Sequence, residues 1–420
     1  MRPRDRLSSI LLIALLLAEA ALASPLSPPA DLPPEPLALR ALASHPEVRA
    51  AQAMIQAAEW DRERLKAGPH EYGFRVNSQR RNIDGSPASS EWLLAIERGV
   101  RLPQKARLDE GIGEALVEET AERVGEARHE VARRLIGLWY AALRGQAQAA
   151  VWRRQVALLE EDRRLTQTLS ARGEASRLEA LQAEAALSVA RSQAGQAEAL
   201  AEESQASLLR QFPELPPARL TQDAPRLPEG NEASWIERAL EHNHELASMQ
   251  RTLARARLEA QRADAERMPD PTVGLFVANE QRSSERIVGF SVSIPIGGVA
   301  RRAQAGARDA QAAAMAERES ATRRRLTSEI ATLWQRAVAG VANHARLREA
   351  SQAASRHAQL VRRGRQLGEF GLSEMLLADR QALEAELNAE RARVEANESV
   401  ARLALDSHQL WLPEPDAEHR

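Results

Sequence analysis

The chain contains no cysteine. Disulfide staples, thiolate metal sites, iron–sulfur clusters and a cysteine nucleophile are excluded, and so is a lipid anchor on an N-terminal cysteine. Aromatic residues make up only 3% of the chain although 44% is apolar. That composition does not suit a large aromatic-filled core; it suits long helices packed closely through alanine. An excess of one charge is also missing, since 57 Lys and Arg face 59 Asp and Glu. Such a balance argues against a protein that holds nucleic acid by bulk electrostatics. Beyond the N-terminal region no apolar run approaches the ~20 residues that a membrane-spanning helix needs. Any role in a membrane has to rest on β-strands.

Arg2, Arg4 and Arg6, the apolar run 10–17 and the small-residue exit Ala21-Leu22-Ala23 follow the pattern of a secretory signal cut before Ser24. Residues 1–23 are therefore expected to be a signal peptide and the mature protein to be exported; an uncleaved membrane anchor is the other reading, against which the apolar run is shorter than a spanning helix needs. A Pro-rich segment over 24–36 is expected to be extended. A first repeat over 37–211 then reads as helix, hairpin at about 71–102, and a long helix pair. A Pro-rich linker over 212–233 separates it from a second repeat over 234–411 with a hairpin at about 272–296, and a tail covers 412–420.

The duplication is the strongest signal. Ala41-Leu42-Ala43-Ser44-His45-Pro46-Glu47-Val48 is echoed by Ala239-Leu240-Glu241-His242-Asn243-His244-Glu245-Leu246. The helix stop Gly68-Pro69 is echoed by Met268-Pro269-Asp270-Pro271, and the break near Gly173 by Gly368-Glu369-Phe370-Gly371-Leu372-Ser373. An offset that stays near two hundred residues marks an internal repeat.

In the hairpins, Tyr72, Phe74 and Val76 alternate with Gly73, Arg75 and Asn77, and Trp92, Leu94 and Ile96 with Leu93, Ala95 and Glu97. In the second, Val273, Leu275 and Val277 are matched to Val288, Phe290, Val292, Ile294 and Ile296. One hairpin is marginal in water, and two per chain are too few to close a barrel. Periodicity leaves two arrangements open: soluble hairpins packed on helices, or strands from several copies closing a barrel with lipid outside and water inside. In the second, Arg75, Asn77 and Gln79 line the wet interior, and Tyr72, Phe74, Trp92, Phe276 and Phe290 are nearly all the aromatics available for interfacial girdles.

A helix opening at Pro103 carries Val117, Val124, Val131 and Leu138 at heptad spacing. A second seam holds Ala121, Leu135, Ala142, Ala149 and Val156, interrupted by Arg128, so the surface is a coiled-coil surface. Nothing reads as an active site. Gly111-Ile112-Gly113 lacks a third glycine and lies within the helix, and Glu118-Glu119 and Glu160-Glu161 read as solvated or salt-bridged helix faces. His242 and His244 are the one pair with metal-ligand chemistry, but one-residue spacing on a helix does not put both rings on one face. No enzyme activity, cofactor or resident metal is expected.

Over essentially the whole mature chain, in both halves, the sequence resembles the TolC family of outer-membrane efflux proteins. The resemblance is carried by the paired motifs at Ala41 and Ala239 and by the strand-to-helix junctions Leu102-Pro103-Gln104-Lys105-Ala106-Arg107 and Pro295-Ile296-Gly297-Gly298. The tip segments 173–176 and 371–373, each followed by an Ala/Glu/Leu-rich return helix, complete it. Arg172-Gly173-Glu174-Ala175-Ser176 and Met268-Pro269-Asp270-Pro271-Thr272-Val273 look most like the branch serving cobalt–zinc–cadmium cation pumps. The resemblance implies a mainly α fold with a small β part. It implies a homotrimer with a 12-stranded β-barrel in outer-membrane lipid and a helical barrel in the periplasm of a Gram-negative bacterium. It implies a passive exit duct joined to a periplasmic adaptor and an inner-membrane transporter, with no nucleic-acid partner. Arg172, Gly173, Ser176, Gly371, Leu372 and Ser373 would lie at or near the adaptor contact, although glycine and serine also simply reverse the chain there. The family closes its periplasmic entrance with polar links, for which Glu160, Glu161, Asp162, Arg362, Arg363 and Arg365 are the candidates; a solvated charged face is the other reading of the same residues. Two further classes stay open, a periplasmic adaptor and an exported structural coiled coil.

Overall fold

The computed structural model describes residues 29, 31–227, 229–281 and 284–411. The expected signal peptide, residues 24–28 and 30 of the expected Pro-rich segment, and the 412–420 tail lie outside the described residues. Among the described residues, twelve elements run in the order α1 (Glu35–Ser44), α2 (Pro46–Ala67), β1 (Tyr72–Ile83), β2 (Ser86–Gly99), α3 (Pro103–Ala171), α4 (Arg177–Gln211), α5 (Glu232–His242), α6 (His244–Ala265), β3 (Thr272–Glu280), β4 (Glu285–Ser293), α7 (Val299–Gln366) and α8 (Leu372–Asp406). Among the described residues no helix is long and apolar enough to cross a membrane. The fold class is as the periodicities dictate: long heptad helices and two β-hairpins.

The chain divides into two compact units. Of the described residues, one gathers those up to His45 with those in 129–242 and those from Thr327 on; the other gathers those in 46–128 and 243–326. The expected helix over 37–67 is split at His45, because Pro46 has no N–H to continue α1. The second half breaks at the equivalent place, where the Asn243 side chain caps α6 by accepting from Leu246 N–H at 2.8 Å.

In the sheet-bearing unit the strands form one antiparallel sheet, β1-β2-β3-β4, so β1 and β4 each leave an edge open within the chain. The register stacks apolar residues in rows on one face. Phe74, Ile96, Leu275 and Phe290 lie side by side, as do Val76, Leu94, Val277 and Val288. Most of these side chains are exposed. The other face is rich in polar groups: Arg75 pairs with Glu97 at 2.8 Å, and Gln79 donates to Glu91 at 2.9 Å. Phe276 falls on this second face, opposite Phe74 and Phe290, because it stands across from Ala95 and Gly289. It covers Gly289, where a Cβ would come within 2.5 Å of the Phe276 ring. Phe276 is thus removed from the set of girdle aromatics. The second hairpin also ends before Ile294 and Ile296, since Pro295 cannot donate to a ladder and β4 stops at Ser293.

The strands are tied to their helices by a charged joint. Lys105 in α3 is fully buried, with Nζ 2.9 Å from Asp270 and 3.0 Å from Glu266. Asp270 also meets His70 Nε2 at 2.9 Å and accepts the Leu102 N–H at 3.2 Å. Burial opposes ionisation of Asp270, but the contacts with His70, Lys105 and Leu102 outweigh it and hold the carboxyl below its usual range. Glu266 is lowered in the same way, burial being overcome by Arg262, Lys105 and Arg301.

In the helical unit the heptad residues Val131, Leu135, Ala142 and Ala149 of α3 are buried. The incoming segment is pinned to α3 and α8, where Asp31 accepts from Tyr140 Oη at 3.0 Å and Asn397 Nδ2 at 3.0 Å. At the end of α8, Asp406 is nearly buried and lies 3.0 Å from His129 Nε2, 2.9 Å from Arg133 Nε and 3.2 Å from Arg402 Nε. Burial alone would raise its carboxyl; the His129 hydrogen bond and the Arg133 and Arg402 charges overcome that and pull it down to about 2. A carboxyl depressed in the folded state stabilises the fold above its unfolded value and loses that contribution as the pH falls. Between pH ~4 and ~2 the helical unit should therefore lose about 2–3 kcal/mol from this group. Thermal unfolding followed by circular dichroism should show the gap between wild type and Asp406→Asn closing over that window. A gap that stays constant would contradict the assignment.

Candidate functional site

The end of the helical unit where α3 returns into α4 and α7 returns into α8 collects the expected tip and gate residues. Both returns use one backbone device. At the first, Glu174 N–H reaches the Leu169 carbonyl at 2.9 Å and Gly173 N–H reaches that of Ser170 at 3.1 Å. At the second, Glu369 N–H reaches Gly364 at 2.8 Å and Gly368 N–H reaches Arg365 at 3.0 Å. Gly173 and Gly368 have φ of +78° and +80°, the left-handed helix cap that glycine adopts without strain.

The following helices start alike too. Ser176 Oγ accepts Glu179 N–H at 3.1 Å while Glu179 accepts Ser176 N–H at 3.0 Å, a closed capping box. Gly371 N–H donates to Glu374 at 2.5 Å, the half of that box a glycine can make. Gly173 is thus matched by Gly368, and Ser176 by Gly371. Gly368 was the counterpart absent from the expected contact set.

Arg172, Gly173, Ser176, Gly371 and Ser373 are exposed at these turns, with Ser373 Oγ donating to Gln182 at 3.4 Å. Leu372 is not: it is 1% exposed and packs in an apolar cluster with Ala183, Ala358, Val361, Met375 and Ala378. Its side chain closes the tip from within and is not offered to a partner.

Of the six charged candidates, the structure joins Arg362 to Asp162, tying α7 to α3. Arg362 Nη2 also reaches Asp379 Oδ2 on α8 at 2.7 Å. Asp162 and Asp379 are both buried, so one guanidinium stands between two shielded carboxylates. Burial works against the Arg362 charge, but Asp162 and Asp379 prevail and raise its pKa. Burial pushes the Asp379 carboxyl up; Arg362 opposes the rise and the Asp162 charge adds to it. Arg365 Nη2 donates to Thr166 Oγ1 at 3.4 Å, and its Nη1 lies 3.6 Å from Glu179 on α4. Glu160 does not join this group; it pairs with Arg191 on α4 at 2.6 Å, and the hydrogen bond from Arg191 holds its carboxyl below the usual range. Glu161 and Arg363 are exposed. Asp379, Thr166 and Glu179 are members that the sequence reading missed. The available signal was Asp379 itself, an acidic residue seven positions before Glu386 and fourteen before Arg393 on one α8 seam.

His242 is exposed, its Nδ1 3.3 Å from the Arg238 carbonyl, and its ring lies 6.1 Å from that of His408. His244 Nδ1 lies 3.0 Å from Glu122. Among the described residues no group of three or more His, Asp or Glu is arranged to hold a metal ion.

No protein-family model matches the chain, and no curated protein matches its sequence. Solved structures do match in fold. The outer-membrane channel OprN shares 20% identity at a TM-score of 0.75, covering 90% of this chain and 90% of its own. The CmeC outer-membrane channel of Campylobacter jejuni shares 11% at 0.71, over 89% and 85%. The open-state MtrE outer-membrane channel of Neisseria gonorrhoeae shares 16% at 0.71, over 89% and 88%. The chain has the fold of these channels along nearly its whole length.

Proposed function

We propose that the chain is one protomer of a trimeric exit duct in the outer membrane, the last component of a tripartite efflux system. The observation that carries this reading is the sheet. Its rows of exposed apolar side chains fit acyl chains on one face, its polar groups fit water on the other, and its two open edges call for strands from other copies. Three copies of four strands make twelve, enough to close a barrel. Each copy also supplies two long helix pairs, which fit a periplasmic tunnel, and the channel folds matched above support the same assembly. The duct conducts passively and catalyses nothing. Its exposed turns at Arg172, Gly173, Ser176, Gly371 and Ser373 are the surface offered to a periplasmic adaptor, which in turn engages an inner-membrane transporter. An adaptor or a free coiled coil is disfavoured, since neither needs exposed apolar strands in register.

The test is membrane fractionation with gel migration before and after heating. The protein should sediment with the outer membrane and run as a trimer that heating converts to monomer. A soluble periplasmic monomer would sink the proposal. Cargo is set chiefly by the transporter. The resemblance of 172–176 and 268–273 to the cation-efflux branch makes zinc, cobalt, cadmium and copper the first toxicants to try against a deletion strain, with organic toxicants as the contrasting arm.

A further inference from the structure

On the apolar face of the sheet, the rows of Phe74 and Val76 end abruptly toward the hairpin turns. The next row is Ser78, Trp92, Asn279 and Arg286, and beyond it Arg80 stands across from Ser90. Rows on one face of a strand are ~7 Å apart, so Arg286 lies one row and Arg80 two rows past the last valines. Trp92 sits at the change from apolar to polar, the place that tryptophan prefers at a membrane surface.

The four strands carry five arginines. Arg75 and Arg81, on the polar face, pair with Glu97 and Glu91. Arg98, at the opposite end of the apolar face, lies over the Tyr72 ring at 4.6 Å and donates to the Tyr72 hydroxyl and the His70 carbonyl, each at 3.2 Å. The side chains of Arg80 and Arg286 are exposed, and neither has an ion pair or a hydrogen bond with any described residue. Carboxylates at the same height do not answer them. Glu91, Glu280 and Glu285 belong to the polar face with Gln79, and Arg81 already serves the first two. Charge is thus sorted by face, with acid on the wet side and uncompensated base at the end of the apolar side.

In the barrel proposed above, on which this site rests, the apolar face meets acyl chains. The hairpin turns, at the end of the sheet away from α3 and α7, then reach the outer surface. We infer that Arg80 and Arg286 bind the phosphate groups of anionic lipid in the outer leaflet. At headgroup depth an arginine on the lipid face costs little, and its planar fork matches two oxygens of a phosphate. Within one chain three strand spacings separate β1 from β4. Closing the barrel sets β4 of one copy beside β1 of the next, so Arg286 and Arg80 of the partner subunit come onto strands ~4.8 Å apart. The site is therefore completed by the neighbouring copy and recurs at each subunit boundary.

Native mass spectrometry on the full-length detergent-solubilised protein tests this, with lipid A and its fully dephosphorylated form as separate probes. Wild type should bind lipid A at least ~10-fold more tightly, the usual worth of charge-assisted hydrogen bonds. Arg80→Gln and Arg286→Gln should each remove most of that preference. Arg98→Gln, at the other rim and already engaged, should keep it. Trimer migration before heating checks that each variant assembles, and if one of the first two does not, the other carries the test. Equal binding of both lipids by the wild-type trimer overturns the site alone, and so does a preference that neither Arg80→Gln nor Arg286→Gln changes. Displacement of lipid A by millimolar inorganic phosphate would make this a small-anion site and overturn the lipid assignment. A wild type that runs as a monomer before heating overturns the duct reading, and this site with it.

Discussion

Asp270→Ala is expected to destabilise the sheet-bearing unit by about 3 kcal/mol, toward the lower end of the cost of breaking a buried ion pair, because one of two carboxylates stays with the buried ammonium. The charge left short is Lys105, whose side chain has no exposed surface; Glu266 stays 3.0 Å from its Nζ but is shared with Arg262 and Arg301. The same substitution removes the acceptor of the Leu102 N–H and the partner of His70. Charge is the cause, so removing both charges must cost less than removing one. Lys105→Met combined with Asp270→Asn should recover a large part of the loss, because a buried pair replaced by neutral groups of similar size is often close to neutral. Thermal unfolding of the detergent-solubilised protein, followed by circular dichroism, measures each. A loss below ~1 kcal/mol for Asp270→Ala would show that the joint is solvated. Equal losses in the single and double variants would show that shape matters there and charge does not.

That joint also shows why some of the structure could be read in the sequence and some could not. Period alone yields helices from Val117, Val124 and Val131, and strands from Tyr72, Phe74 and Val76, because 3.5- and 2-residue repeats report which face is apolar. The fold class follows from such repeats and from their duplication. Lys105 and Asp270 have no period. Each looks like an ordinary surface charge at a helix start or a turn, and only the sheet pairing of β2 with β3 brings their segments together. Phe276 misleads for a related reason: the strand register, not hydrophobicity, sends it to the polar face over Gly289. At the tips, opposite charges were visible ahead of the two helix returns, acidic before the first and basic before the second. Their pairing was not, since Glu160 turns to Arg191 within its own helix pair and leaves Asp162 to Arg362. Leu372 was expected at or near the adaptor contact from the resemblance, and burial gives it a different task.

Arg362→Ala is expected to raise channel conductance severalfold, under the proposal that the helix-return end is the duct's periplasmic entrance. Arg362 links α7 to Asp162 on α3 and Asp379 on α8, and Arg365 continues the link to Thr166 and to Glu179 on α4. All four helices of the tip are therefore held by two arginines one turn apart on α7. Without Arg362 two buried carboxylates face each other uncompensated, a repulsion that opening the tip to water relieves. An exposed ion pair such as Arg380–Glu384, worth ~0.5 kcal/mol on a helix surface, offers the matched control on α8. Single-channel recording in planar bilayers should rank Arg362→Ala above Arg365→Ala, and Arg365→Ala above Arg380→Ala, the last equal to wild type. Asp162→Asn with Asp379→Asn should restore a low conductance to Arg362→Ala, because the repulsion is then gone while the packing around Leu372 and Met375 remains. Unchanged conductance in both Arg362→Ala and Arg365→Ala would leave the links as internal struts of the tip, with the entrance controlled elsewhere.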